Sequence, residues 1–187
     1  MNHQNMMERE VKLAFDSPEK ARAAVRASGA VPIRGRRLQA DVLLDTDEGS
    51  LRIRRCALRV RKEPDRNVVT FKGPMQASRM KLRQEIETTV ADLPALLRLL
   101  EELGFRAWFR YEKYREEFQL PDTIVAVDET PIGTFVELEG TEAGIDAAAR
   151  ALGRNGDDYV VDSYRTLYEQ HCRQRGVPAT DMVFGPS

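Results

Sequence analysis

Polar and apolar residues alternate with a two-residue period in eight stretches: Glu8 to Phe15, Gln39 to Leu44, Leu58 to Lys62, Val68 to Gly73, Leu82 to Val90, Ala107 to Phe118, Ile124 to Asp128 and Thr134 to Glu139. Side chains at i and i+2 of an extended segment share a face, so each stretch carries a polar and an apolar side. Eight such strands suit a closed antiparallel barrel. Pro64, Asp65 and Asn67 mark a hairpin between Lys62 and Val68. Helical periods fill the gaps. Ser17, Pro18 and Glu19 open one helix that Gly29 ends, and Asp92 with Pro94 opens a second that Gly104 closes. Thr141 to Leu152 and Ser163 to Arg175 form two more, each followed by a glycine. The segment Ser50 to Arg55 reads equally as a strand or a helical turn. The predicted class is α+β: a closed eight-stranded antiparallel β-barrel flanked by amphipathic helices. No repeat or low-complexity linker divides the chain, so one domain is expected over residues 1–187, with its core at about 7–172 and an irregular tail at 176–187.

Composition narrows the field. At 187 residues and 42% hydrophobic, the chain is long enough to bury a sizeable core. A net charge of -1, from 29 basic and 30 acidic residues, argues against nucleic-acid binding by bulk charge. Cys56 and Cys172 are too few for a disulfide framework or a zinc site, and His3 and His171 lie outside the patterned strands. No apolar run approaches the roughly 20 residues of a membrane span, and the start MNHQNMMERE does not read as a signal peptide. The expectation is a soluble cytoplasmic protein with no membrane partner, as a monomer or homodimer.

The position of the charges is more informative than their sum. One face of the successive strands reads Glu8, Glu10, Lys12; Arg59, Arg61; Thr70, Lys72; Arg83, Glu85, Glu87; Lys113, Arg115; Asp128; Glu137, Glu139. The opposite faces carry Leu58 and Val60, Val69 and Phe71, Leu82 and Ile86, Val125 and Val127. A barrel with this polar face inward and its apolar exterior covered by helices satisfies the pattern, and it inverts the usual barrel core. Lysines and arginines lining a lumen suit a polyanion, because guanidinium groups hold phosphate oxygens in forked pairs. Clustered Glu and Asp suit a hard divalent cation such as Mg²⁺ or Mn²⁺. Together they point to metal-assisted chemistry on a triphosphate. A lone ExE on a strand is ordinarily a solvated face; the repetition of one rule over most strands distinguishes this chain.

The ordered strings EREVK, LQADVLLDT, LRIRR, ALRVRK, VTFKGP, LRQEIE, KYRE, VDETPIGTFVELEG and DSYRTLYE resemble the CYTH family of triphosphate tunnel metalloenzymes. That family includes class IV adenylyl cyclases, thiamine triphosphatases and inorganic tripolyphosphatases. The likeness runs from about Glu8 to Tyr168 and implies an eight-stranded barrel forming a tunnel. It also implies roles. Lys12, Arg59, Arg61, Lys72, Arg83, Lys113 and Arg115 would grip the triphosphate, and Glu8, Glu10, Asp128, Glu137 and Glu139 would bind the metal. Glu85 and Glu87 match the central RxExE strand as supporting residues. One departure is aliphatic: many members carry an aromatic residue where this chain has Leu43 or Leu44.

The expected activity is hydrolysis of a phosphoanhydride bond in a triphosphate, whether tripolyphosphate, thiamine triphosphate or ATP. Lys12 or Lys72, with a pKa depressed among so many cations, is the expected catalytic base. The same lining serves a class IV adenylyl cyclase, in which the ribose 3′ hydroxyl of ATP attacks the α-phosphorus. A non-catalytic polyphosphate-binding module is a third reading, which the paired carboxylates oppose because they repel an anion.

Overall fold

The computed structural model describes residues 6–185; His3 and the last two residues of the expected tail lie outside them. The alternating segments form β1 (Met6–Phe15), β2 (Val31–Thr46), β3 (Ala57–Lys62), β4 (Asn67–Lys72), β5 (Lys81–Val90), β6 (Phe105–Leu120), β7 (Thr123–Thr130) and β8 (Gly133–Gly140). They close into a barrel in the order β1-β5-β4-β3-β2-β6-β7-β8, each neighbouring pair antiparallel. Among the described residues, five α-helices accompany them, α1 (Pro18–Ala27), α2 (Ser50–Ile53), α3 (Leu93–Glu102), α4 (Glu142–Ala151) and α5 (Tyr164–Arg175), with a 3-10 turn at Gly156–Asp158.

The helix starts follow from side-chain caps that satisfy otherwise unpaired N–H groups. Ser17, Asp92, Thr141 and Ser163 accept from the backbone N–H of Lys20, Ala95, Gly144 and Thr166. The ambiguous segment at Ser50 is a helical turn because the buried Asp45 carboxylate accepts from the N–H groups of Thr46, Leu51 and Arg52 at 2.8, 2.8 and 3.1 Å. Strands β2 and β6 are both 16 residues long, well beyond the alternating stretches. The extra length of β2, from Val31 to Arg37, is largely exposed and shifts register at Pro32/Arg34 and Arg34/Arg37. Such a segment needs no apolar side and leaves no alternation to read.

The apolar core lies outside the barrel. Val11 and Leu13 of β1, Val125 and Val127 of β7, and Val136 and Leu138 of β8 pack with Ala21 and Val25 of α1 and with Ile145, Ala148 and Ala149 of α4. Burying a Val or Leu side chain in this layer contributes about 1.5–3 kcal/mol. The helical cover is one-sided: on β5 Ile86 is 48% exposed, and α3 has no fully buried residue. The tail is irregular but fixed. Met182 is fully buried beside Phe109, Tyr111 and Tyr164, and its backbone exchanges hydrogen bonds with Arg110 and Glu112 of β6, both at 2.9 Å.

The strand β1 closes the ring with two partners. Residues Met6 to Glu10 pair with β5, and Glu10 to Phe15 pair with β8. Where β5 has ended, Val160 takes over the free edge by a reciprocal pair of hydrogen bonds with Lys12, both 2.9 Å. At the hairpin end of β3, the buried Glu63 accepts from Arg34 (2.9 Å), Arg66 (2.9 Å), Arg37 (3.4 Å) and Gln39. Burial raises its pKa, but these donors outweigh burial and bring it down from 4.5 to about 2. A carboxyl so depressed stabilises the fold above its unfolded pKa and loses that contribution as the pH falls from 4.5 toward 2. Glu63→Gln is expected to cost about 2 kcal/mol at neutral pH, measured by urea unfolding, and the difference from the parent should vanish near pH 2.

Candidate functional site

The barrel encloses a cavity of about 800 Å³. Strand register decides what faces it. Glu10 stands opposite Lys81 on β5 and Glu139 on β8; Lys12 stands opposite Glu137, and Glu8 opposite Arg83. Further round, Glu85 and Glu87 lie opposite Lys72 and Thr70, Arg59 opposite Thr70, and Asp41 opposite Arg61. The two acidic strings, from nearly opposite ends of the chain, are therefore immediate neighbours. Glu8, Glu10, Lys12, Arg59, Arg61, Lys72, Arg83, Glu85, Glu87, Lys113, Arg115, Glu137 and Glu139 all line the cavity.

Charge alternates through this lining at hydrogen-bond distances. Lys12 Nζ lies 2.9 Å from Glu10 and 3.3 Å from Glu137, and Lys81 also donates to Glu10. Lys72 Nζ reaches both Glu8 oxygens at 3.0 Å and Glu85 at 2.5 Å. Arg61 holds Asp41 in a forked pair at 2.8 and 3.1 Å. Arg59 donates to Thr70 at 3.0 Å and to Glu87 at 3.4 Å. Among the described residues, the buried Nε atoms of Arg9, Arg59 and Arg83 make no hydrogen bond, although Arg59 Nε lies 3.7 Å from Asp41 and Arg83 Nε 3.5 Å from Glu8. A buried donor without an acceptor costs about 1–3 kcal/mol, which an anionic ligand would recover.

Asp128 is placed differently from the rest. It is fully buried and is not among the residues lining the cavity. Its Oδ1 accepts from Arg115 Nε at 2.7 Å; its Oδ2 accepts from Arg115 Nη2 (2.6 Å), Lys113 Nζ (2.8 Å) and Tyr164 Oη (2.6 Å). Four donors occupy the roughly four acceptor sites of a carboxylate. Expected as a metal ligand, Asp128 anchors two cations of the lining in this structure. The Tyr164 ring completes that anchorage, with Lys12 and Lys113 Nζ 5.1 and 4.9 Å from its centroid.

At Lys12, the expected base, the surroundings favour the charged form. Burial lowers its pKa, but Glu10 and Glu137 raise it further, and the net shift is upward. This ammonium stays protonated and serves as a fixed cation. The depressed lysines are Lys81, brought to about 7 by burial with Lys12, Arg83 and Lys72 nearby, and Lys113, brought to about 8 by burial and Arg115. Lys81 was outside the expected strand, which began at Leu82. It continues the parity of Arg83, Glu85 and Glu87, so the signal was present one residue upstream.

The carboxylates divide into two kinds. For Glu10 and Glu137 burial is outweighed by lysines and Arg115, and both are held well below the usual range. Glu8 is pushed up to about 8 by burial and Glu10, and Glu139 to about 7 by burial, Glu137 and Glu10. Among the described residues Glu139 has no ion-pair partner, and no three metal-ligating side chains already converge. The donor set still fits a hard divalent cation. Glu8, Glu10, Glu137 and Glu139 offer only oxygen, lie on two adjacent strands, and include two groups whose crowding a cation would relieve.

Comparison with known proteins places this geometry. The CYTH domain family model matches residues 6–163. A protein of Methanocaldococcus jannaschii, provisionally named an adenylate cyclase, is 28% identical over 148 residues, covering 79% of this chain and 84% of its own. A solved Vibrio parahaemolyticus protein, also provisionally named an adenylate cyclase, superimposes with a TM-score of 0.74 at 20% identity, covering 88% of this chain and 98% of that one. A Hippeastrum protein, provisionally an adenylyl cyclase and described as having a dominant triphosphatase activity, gives 0.55 at 20% identity over 91% and 89%. Among the described residues no helix is long and apolar enough to cross a membrane.

The two kinds of carboxylate predict opposite mutational signs in chelator-treated protein. Asp128→Asn uncovers two buried cations and should destabilise by about 3 kcal/mol. A carboxyl with a raised folded pKa loses stability as the pH rises from 4.5 through about 7, so Glu139→Gln should stabilise at pH 8 and not at pH 4. Thermal unfolding at the two pH values reads both effects.

Proposed function

The chain belongs to the CYTH domain family, and from that premise we propose that it is a divalent-metal-dependent enzyme that hydrolyses a phosphoanhydride bond of a triphosphate. The observation that carries this reading is a cavity wall on which lysines and arginines alternate with carboxylates, and on which the buried Nε atoms of Arg59 and Arg83 make no hydrogen bond, their carboxylate neighbours Asp41 and Glu8 lying at 3.7 and 3.5 Å. A neutral ligand leaves those donors unsatisfied. A chain of phosphates offers oxygens along its whole length.

In this mechanism Lys12, Arg59, Arg61, Lys72, Arg83, Lys113 and Arg115 extend the triphosphate along the tunnel and neutralise its charge. Glu8, Glu10, Glu137 and Glu139 would hold the divalent cation, Mg²⁺ or Mn²⁺. When bound, that ion supplies further neutralisation of the phosphate oxygens. Asp128 and Tyr164 keep Lys113 and Arg115 aimed at the lumen. Phosphoryl transfer asks little covalent work of a protein, so fixed charge and in-line positioning account for most of the rate. Lys81, beside Glu10 and brought down to about 7 by burial and its neighbouring cations, is the group assigned here to accept the proton of the attacking water.

The second reading is cyclisation of ATP, with pyrophosphate as leaving group. It is favoured by one observation, the provisional naming of the Methanocaldococcus relative as an adenylate cyclase. The same cations and carboxylates serve both reactions, which differ in the phosphorus that meets the nucleophile.

Purified protein incubated with ATP or tripolyphosphate in Mg²⁺ or Mn²⁺ is expected to release phosphate, and a chelator should abolish turnover. Cyclic AMP formed faster than phosphate would decide for the cyclase. Arg59→Ala and Glu137→Ala are each expected to lower kcat/KM by about 10²–10³-fold. Ligand binding without turnover in the unmodified protein would reduce it to a binding module.

A further inference from the structure

The chain's one tryptophan, Trp108 on β6, stands at the rim of the main cavity between two guanidinium groups. Arg52 Cζ lies 4.5 Å and Arg165 Cζ 4.3 Å from its ring centroid. Both arginines are themselves held: Arg52, from α2, by Asp45 at 3.1 Å, and Arg165, from the first turn of α5, by Glu169 at 2.6 Å. A second cavity of about 350 Å³ adjoins the first across this stack. It shares Arg52, Trp108 and Arg165 with the main cavity, and its wall includes Glu169, Thr180 and Asp181.

None of these residues is needed to grip phosphate, which the interior already does. A triphosphate drawn into the tunnel leaves the group it carries at one end of it, and this rim is built from flat surfaces: an indole and two guanidinium planes. Its charge selects among flat groups. The indole already has two cations beside it, and Arg55 stands nearby on the cavity wall. A cationic ring such as a thiazolium therefore finds its natural partner occupied and meets positive charge. A neutral heterocycle stacks on the guanidinium planes of Arg52 and Arg165 beside the indole without that cost, and the oxygens of Glu169, Thr180 and Asp181 can accept from an exocyclic amino group.

We propose that the Arg52–Trp108–Arg165 stack and its side cavity bind the neutral base of a nucleoside triphosphate, selecting it over inorganic tripolyphosphate and over triphosphates of cationic rings. This rests on the triphosphate reading above. Because Trp108 is the sole indole and both arginines lie over its ring, its emission reports a ligand that disturbs the stack. Titration in Mg²⁺ with a methylene-bridged, non-hydrolysable ATP analogue should quench that emission, whereas tripolyphosphate should leave it nearly unchanged. Trp108→Ala should weaken the analogue roughly ten- to hundredfold by calorimetry and leave tripolyphosphate affinity as it was, with Trp108→Phe recovering most of the loss. A merely structural clamp between α2 and α5 would weaken both ligands together. Tripolyphosphate binding as tightly as the analogue, with silent emission, overturns this inference and leaves the tunnel reading standing. Failure of both ligands to bind overturns the two together.

Discussion

Burying charge is costly, and the barrel is possible only because its buried cations and anions compensate one another. Moving an ion from water into the protein interior costs several kcal/mol even after relaxation. Lys12, fully buried at 1% exposure, is tolerated because Glu10 and Glu137 stand on either side of it. The alternating lining therefore follows from a solvation requirement before any function is considered. That requirement also pushes the apolar core outward, into the layer between the barrel and helices α1 and α4. A lumen filled with paired charge cannot also be the hydrophobic core.

Compensation is uneven, and the unevenness marks the chemistry. Around Asp128 every acceptor site is taken, and the result is rigid. At the seam of β1 and β8 four carboxylates crowd together, and Glu8 and Glu139 rise toward neutral pH. On β3 and β5, Arg59 and Arg83 carry buried Nε atoms that make no hydrogen bond. Carboxylates short of positive charge share one lumen with guanidinium groups that have a donor unused. A divalent cation and a polyanion answer the two deficits together, which neither does alone.

Much of this was legible in the sequence because strand parity is a strict signal. Glu8 and Glu10, Arg59 and Arg61, or Glu137 and Glu139 must share a face whatever the topology. What parity cannot supply is register. That Glu10 stands opposite Glu139 depends on which strands close the ring, and the pairing of Arg61 with Asp41 depends on the β2–β3 alignment. Asp128 shows the same gap from another side: its residue type suits a metal, but parity does not reveal the donors Lys113, Arg115 and Tyr164 that surround it. Tyr164 comes from a helix, where strand parity gives no information. Glu63 lay just beyond the end of a strand, and its four donors come from β2 and the β3–β4 hairpin.

The position of β1 has a consequence for how the molecule is made. This strand stands earliest in the chain of the eight, yet one of its edges pairs with β8 and the other with β5 and Val160. Those contacts join residues separated by most of the chain, and closing so long a loop is slow relative to forming local hairpins such as β3–β4 or β7–β8. The acidic seam thus assembles only when the ring shuts. A nascent or partly folded chain holds half of each carboxylate pair and none of the enclosed space, so it can neither concentrate phosphate nor strand a cation on an incomplete site.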